Sequence, residues 1–143
     1  MKELEVKNRL SYAVIETIYR SSSLLSVELG KIFREYNLTG TEFGILEAIY
    51  SLGPQTIQTI ANRILLTSGG MTYTKKQMIK KNLVYEKPCE EDKRISYIYL
   101  TNEGKNLIVK VLEKHDNHLD KLLEKLSIDE KRQIAKLLRK IYK

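Results

Sequence analysis

Cysteine, proline and tryptophan are almost missing from these 143 residues: one, two and none, respectively. The single thiol, Cys89, excludes an intrachain disulfide and fits a reducing compartment. Its neighbours Glu90 and Glu91 disfavour the thiolate that a redox sensor needs, so a structural cysteine is expected. Only Pro54 and Pro88 interrupt the chain, and each marks a connection. No apolar run approaches the roughly 20 residues of a membrane helix. The start, MKELEVKNRL, lacks the apolar core of a signal peptide. A cytoplasmic protein with no membrane partner is therefore expected. Repeats, low-complexity tracts and linkers are absent, as are H-E-x-x-H, P-loop, G-x-S-x-G and dinucleotide fingerprints. An enzyme, a cofactor and a metal are not expected.

The absence with the largest consequence is local. Residues 48–85 contain no Asp or Glu, yet include Arg63, Lys75, Lys76, Lys80 and Lys81. The whole chain carries a formal net charge of +7 with a pI near 9.4. Net charge says little by itself, but an acid-free segment offers phosphate no side-chain repulsion.

What is present fits one domain with a real core, since 42% of residues are hydrophobic and 30% charged. Over 6–36, Leu10, Val14, Ile18, Leu25, Leu29, Ile32 and Phe33 recur at helical spacing. TGTE at 39–42 reads as a capping box that opens a second helix, which GP at 53–54 closes. A short third helix places Ile57, Ile60, Ala61 and Ile64 on one face, with Thr67 or Ser68 capping the helix that follows. Asn82 suits a left-handed stop for that fourth helix. The period then falls to two: LVYEK and ISYIYL are strand-like runs joined by PCEEDKR, which gives a hairpin beside a helix-turn-helix. TNEG at 101–104 opens a helix in which Ile108, Leu112, His115, Leu119, Leu122 and Leu126 form a heptad-like seam. SIDE at 127–130 caps a last helix lined by Ile134, Leu137, Leu138 and Ile141. The expected fold class is α+β, mostly helical.

The fourth helix has only a narrow apolar face, Met71, Thr74 and Met78, so its remainder must meet solvent or a partner. Gly69 and Gly70 permit close approach of a phosphate to the free amides of its first turn. Ser68 and Thr72 offer hydroxyl donors, and Tyr73, Lys75, Lys76 and Gln77 can reach base edges or backbone. In the hairpin connection, Arg94 is long enough to enter a minor groove, with Asp92 bracing it through a charge-assisted bond. Spacing alone serves an ordinary turn ion pair equally well.

These stretches together resemble the MarR family of winged-helix transcription regulators over nearly the whole chain. LTGTEFGILEAI resembles the family's second helix, TIQTIANRILLTSGGMTYTKKQM its helix-turn-helix, and LVYEKPCEEDKRISYIYLTNEGKNLI its wing and return into a fifth helix. The most specific features are the D-x-R of Asp92 and Arg94 and the L-T-x-E-G that follows. The resemblance implies a single domain, 1–143. Segments 1–36 and 105–143 would form the dimerisation helices, and 37–104 the winged helix-turn-helix DNA-binding lobe. It further implies a homodimer on a near-palindromic double-stranded DNA operator. The implied DNA contacts are Thr56, Gln58, Thr67, Ser68, Gly69, Gly70, Met71, Thr72, Tyr73, Lys75, Lys76, Lys80, Asp92, Lys93 and Arg94. Many members bind small phenolic or lipophilic effectors between the dimer helices and the DNA-binding lobe. Tyr12, Ile15, Tyr19, Phe43, Leu46 and Glu47 are the candidates for such a cavity, and would serve equally as core. The chain departs from the family pattern at Asn82, where glycine is usual, and at Glu86, where arginine is common. It also departs at Lys75 and Lys76, where an apolar residue and an acid are frequent.

The histidines of HDNHLD, His115 and His118, stand about one helical turn apart, but two ligands fall short of a metal set. Two functions are carried forward. The first is a dimeric, sequence-specific DNA-binding regulator, a repressor released by a small molecule. The second is a winged-helix protein-interaction module without specific DNA binding.

Overall fold

The computed structural model describes residues 2–64 and 68–143, the side chains of Leu4 and Ser68 and the exposure of Gly69 excepted. The element order is α1 (Lys2–Glu35), α2 (Gly40–Leu52), β1 (Gln55–Thr56), α3 (Ile57–Ile64), α4 (Ser68–Lys80), β2 (Val84–Pro88), β3 (Ser96–Leu100), α5 (Asn102–Leu122) and α6 (Ile128–Tyr142). The expected mostly helical α+β class and the hairpin are found. The two-residue strand β1 is an addition that its length hid from periodicity.

Local chemistry sets the boundaries. Asn37 adopts φ 55° after α1, and the Leu38 amide reaches back to the Phe33 carbonyl at 2.9 Å. Asn82 repeats the device at φ 56°, with the Leu83 amide on the Met78 carbonyl at 3.0 Å. Asparagine supplies in both places the left-handed stop that glycine more often provides. The expected capping boxes form at Thr39 with Glu42 and at Ser127 with Glu130. Gly53, at φ 83°, turns the chain from α2 into β1. Thr67, one of the two expected caps of α4, lies outside the described residues, and Ser68 is the first residue of that helix.

The three strands lie in the order β1-β3-β2, all antiparallel. In the hairpin, Tyr85 pairs with Tyr99, Glu86 with Ile98 and Lys87 with Tyr97. A single core gathers Ile45, Leu46 and Ile49 from α2, Ile60 and Ala61 from α3, and Met71 and Met78 from α4. Val84, Ile98, Ile108 and Val111 close it from the hairpin and α5.

The two ends of the chain remain outside this core. On α1, Val6, Leu10, Tyr12, Val14, Ile15, Tyr19, Leu24 and Val27 are exposed, and on α6 no residue is buried. Among the described residues, no helix is long and apolar enough to cross a membrane.

The L-T-x-E-G segment has a physical explanation. The Thr101 hydroxyl donates to the Asn82 carbonyl at 2.7 Å and accepts the Gly104 amide at 2.9 Å, while the Thr101 amide donates to the Leu83 carbonyl at 3.1 Å. One threonine therefore caps α5 and ties its first turn to the stop of α4. Gly104 is buried against Leu83, with no room for a Cβ.

Candidate nucleic-acid interface

At 100° per residue, Met71, Thr74, Lys75 and Met78 fall on one side of α4, and Gly69, Thr72, Tyr73, Lys76 and Lys80 on the other. Burial follows that division. Met71 and Met78 are fully buried, whereas Thr72, Tyr73, Lys76 and Lys80 are exposed. Met71, expected among the DNA contacts, is corrected by this: its thioether belongs to the core and cannot reach a groove.

The lysines of α4 and its stop divide into two kinds. Lys75 points toward the hairpin, where its ammonium lies 3.1 Å from Glu86 Oε1, with side-chain exposures of 17% and 33%. Lys81 reaches the buried Glu42 carboxylate at 2.8 Å and the Asn37 carbonyl at 2.9 Å. Glu42 simultaneously accepts the Thr39 amide at 3.2 Å, so the cap of α2 and the end of α4 share one anion. Lys76 and Lys80 make no ion pair among the described residues and stand in solvent. Two cations brace the helix, and two remain on its outer face.

α3 is the other half of the helix-turn-helix. Thr56 caps it, accepting the Thr59 amide at 3.2 Å. Gln58 is exposed and donates to Asn62 at 3.1 Å, so it is presented outward but already held. Gln55 donates to the carbonyls of Ala48 at 3.1 Å and Gly53 at 3.2 Å, fixing the turn ahead of the helix.

At the hairpin tip, Asp92 Oδ1 accepts the Arg94 amide at 3.1 Å and Nε at 3.0 Å, and Oδ2 accepts Nη2 at 3.0 Å. Arg94 is nevertheless 91% exposed, because the carboxylate orients only one edge of the guanidinium. Lys93 beside it is exposed too. Below the tip, stacked Tyr85 and Tyr99 rings, with centroids 5.3 Å apart, lie under the Lys87 ammonium on the hairpin's other face.

The Arg94 side chain, and then its amide, hold the Asp92 carboxyl below its ordinary value of 3.8. A folded pKa below the unfolded one means the tip bond contributes above the ordinary carboxylate range and is lost as pH falls through the lowered value. Wing geometry should therefore be constant from pH 5 to 8, about where such a carboxylate stays ionised. A carbon-detected NMR titration of the Asp92 carboxyl should give a midpoint under the usual aspartate value, and a midpoint at or above it would remove the clamp.

The six effector-cavity candidates are not brought together within one chain. Leu46 is core, Phe43 stacks on Phe33 at 4.5 Å, and Glu47 accepts the Ser51 hydroxyl at 2.6 Å. Tyr12, Ile15 and Tyr19 sit exposed on the free half of α1. Tyr12 precedes Phe33 by enough helix to place it about 30 Å away along the axis. That length keeps the three α1 candidates apart from Phe43, Leu46 and Glu47 within one chain. A shallow depression of about 310 Å³ does lie between α1 and α5, lined by polar groups including Glu28, Glu35, Lys114 and His118. The two histidines have separate partners. His118 meets Glu28 at 3.3 Å, and the His115 ring lies tilted against Phe43 at 4.8 Å with its Nδ1 2.9 Å from Asp116.

Comparison with known proteins agrees with this geometry. The MarR family's sequence profile matches residues 38–96. The HTH-type transcriptional regulator YkoM of Bacillus subtilis (strain 168), itself uncharacterized, is 32% identical over 139 residues, 96% of this chain and 88% of that protein. A crystal structure of a mutant MarR from E. coli complexed with operator DNA shares the fold at a TM-score of 0.81 and 20% identity, covering 92% of this chain and 94% of the other. NadR in complex with 4-hydroxyphenylacetate does so at 0.78 and 21%, covering 90% and 91%.

Proposed function

The chain belongs to the MarR family and is a DNA-binding regulator; from that premise we propose that it acts as a homodimeric, sequence-specific repressor released by a small molecule. The observation that carries the reading is the outer face of α4. Thr72, Tyr73, Lys76 and Lys80 are presented together, without an acid among them, on a helix whose one other charge, Lys75, is paired with Glu86. Such a face suits a groove-reading helix, because the phosphates flanking the bases meet hydroxyls and cations there without side-chain repulsion.

A second copy is the natural cover for the apolar ends. Segments 1–36 and 105–143 carry most of the exposed large hydrophobic residues, while 37–104 supplies most of the single core, which Ile32, Phe33, Ile108 and Val111 complete. A patch of this extent is rare on a monomer, and a twofold dimer would present two copies of α4 to a near-palindrome. In that dimer, Tyr12, Ile15 and Tyr19 of one subunit would lie beside the Phe43 region of the other, giving a cavity that a single chain lacks. The 4-hydroxyphenylacetate complex of NadR supports a phenolic effector class.

The experiment is selection of genomic fragments from the source organism on the purified full-length protein, followed by sequencing. A recurrent near-palindrome with half-sites about one helical turn apart is expected. Recovery of random fragments would overturn specific regulation and leave a protein-interaction module.

A further inference from the structure

Lys75 and Glu86 are two of the positions where the sequence departs from the family pattern, and the fold places them against each other. Lys75 is four residues after Met71, on the inward side of α4, where its stem is largely covered and its ammonium is turned to β2. Glu86 is the third residue of β2 and pairs across the hairpin with buried Ile98, so it occupies the face turned to the helices. The 3.1 Å contact is a polar link between the body of α4 and the hairpin that carries Arg94.

We infer that Lys75 is a positioning residue and not a DNA contact: through Glu86 it fixes the recognition helix relative to the wing, and so sets operator selectivity. The inference rests on the proposed reading that α4 and Arg94 engage one duplex together. Two groups reading separate grooves discriminate among sequences only when their spacing is rigid, since a loose pair lets each settle on its own best contacts. A lysine spent on a phosphate would be exposed and free of ion pairs, as Lys76 and Lys80 are among the described residues. Lys75 is instead covered and neutralised, and its partner is an acid that would repel DNA if left bare. A half-covered pair also resists salt better than a solvated one, so the brace should persist at ionic strengths that weaken phosphate contacts.

The test exchanges the charges. The double variant Lys75→Glu with Glu86→Lys keeps the net charge and the pair, and is compared with Lys75→Met, Glu86→Gln and wild type on operator and random duplexes across a salt series. Each single variant should lose roughly 3–10-fold of the preference for operator over random DNA, the range of a broken pair coupling. The exchange should recover most of that loss, with a salt slope equal to wild type. If Lys75 touches phosphate, the exchange puts a carboxylate there. It would then bind worse than either single variant, with a slope shallower by about two for two subunits, which overturns the inference. Glu86→Gln gives an independent answer should the exchanged variant not fold cooperatively. A freed phosphate-seeking Lys75 would tighten DNA binding, contradicting the inference, whereas a lost brace lowers selectivity. A wild-type protein with no preference for any duplex would overturn the regulator reading as well, and the wild-type arm separates that outcome from the others.

Discussion

Gly104→Ala should lower the stability of the folded chain by about 3 kcal/mol, at the upper end of what overpacking costs. A Cβ on Gly104 would lie 2.0 Å from the Leu83 carbonyl oxygen and 2.9 Å from its carbon. Both are backbone atoms held in place, because that oxygen already accepts the Thr101 amide and the Asn82 stop lies just before it. Alanine is favoured over glycine in a helix by about 1 kcal/mol, but that gain is smaller than the clash. Relief would require α5 to move away from the end of α4, so DNA affinity should fall along with stability. Gly40→Ala is the control: its Cβ would meet only the Phe33 ring at 3.8 Å, an ordinary contact. Chemical denaturation of both variants checks the claim. Equal stabilities would show that α5 and α4 are not fastened at this point.

The order of elements was readable in the sequence because each boundary has a local chemical signature. Thr39 with Glu42, Ser127 with Glu130 and Asn82 announce starts and stops through groups that satisfy nearby amides and carbonyls. Strand β1 was hidden, since two residues establish no period and it exists only through pairing of Gln55 and Thr56 with β3. The same divide runs through the interface. Exposure of Tyr73, Lys76 and Lys80 follows from helical spacing. The engagement of Lys75 with Glu86, 11 residues away, and of Lys81 with Glu42, 39 residues away, depends on tertiary packing. One signal for Lys75 was present: four residues after Met71 is an inward position, and a charge there needs a partner. Met71 was grouped with the contacts by its place in the recognition stretch, although its spacing with Met78 marks it as core. For the effector candidates, residue type was visible but reach was not. Periodicity says that Tyr12 and Phe33 share a long helix, and only the geometry says that about 30 Å separates them.

Replacing Lys76 and Lys80 together by glutamine should produce the largest change in DNA binding. Both side chains are exposed and make no ion pair among the described residues, so their removal disturbs no brace and leaves the core intact. In a dimer the two positions supply four cations. Each phosphate contact releases nearly one counterion, so the slope of log affinity against log salt should flatten by roughly 3–4. Over a fourfold rise in salt, that difference amounts to roughly a hundredfold in affinity. Unfolding transitions of variant and wild type should coincide, since neither lysine packs against the lobe.

The salt slope of operator binding, measured for wild type and for the Lys76→Gln, Lys80→Gln variant, tests the central claim most directly. A steep wild-type slope that becomes shallower by three to four in the variant is the predicted result, about one counterion for each lost contact. Identical slopes would mean that the outer face of α4 does not meet the DNA backbone, and the account of this helix as the reading surface would be contradicted.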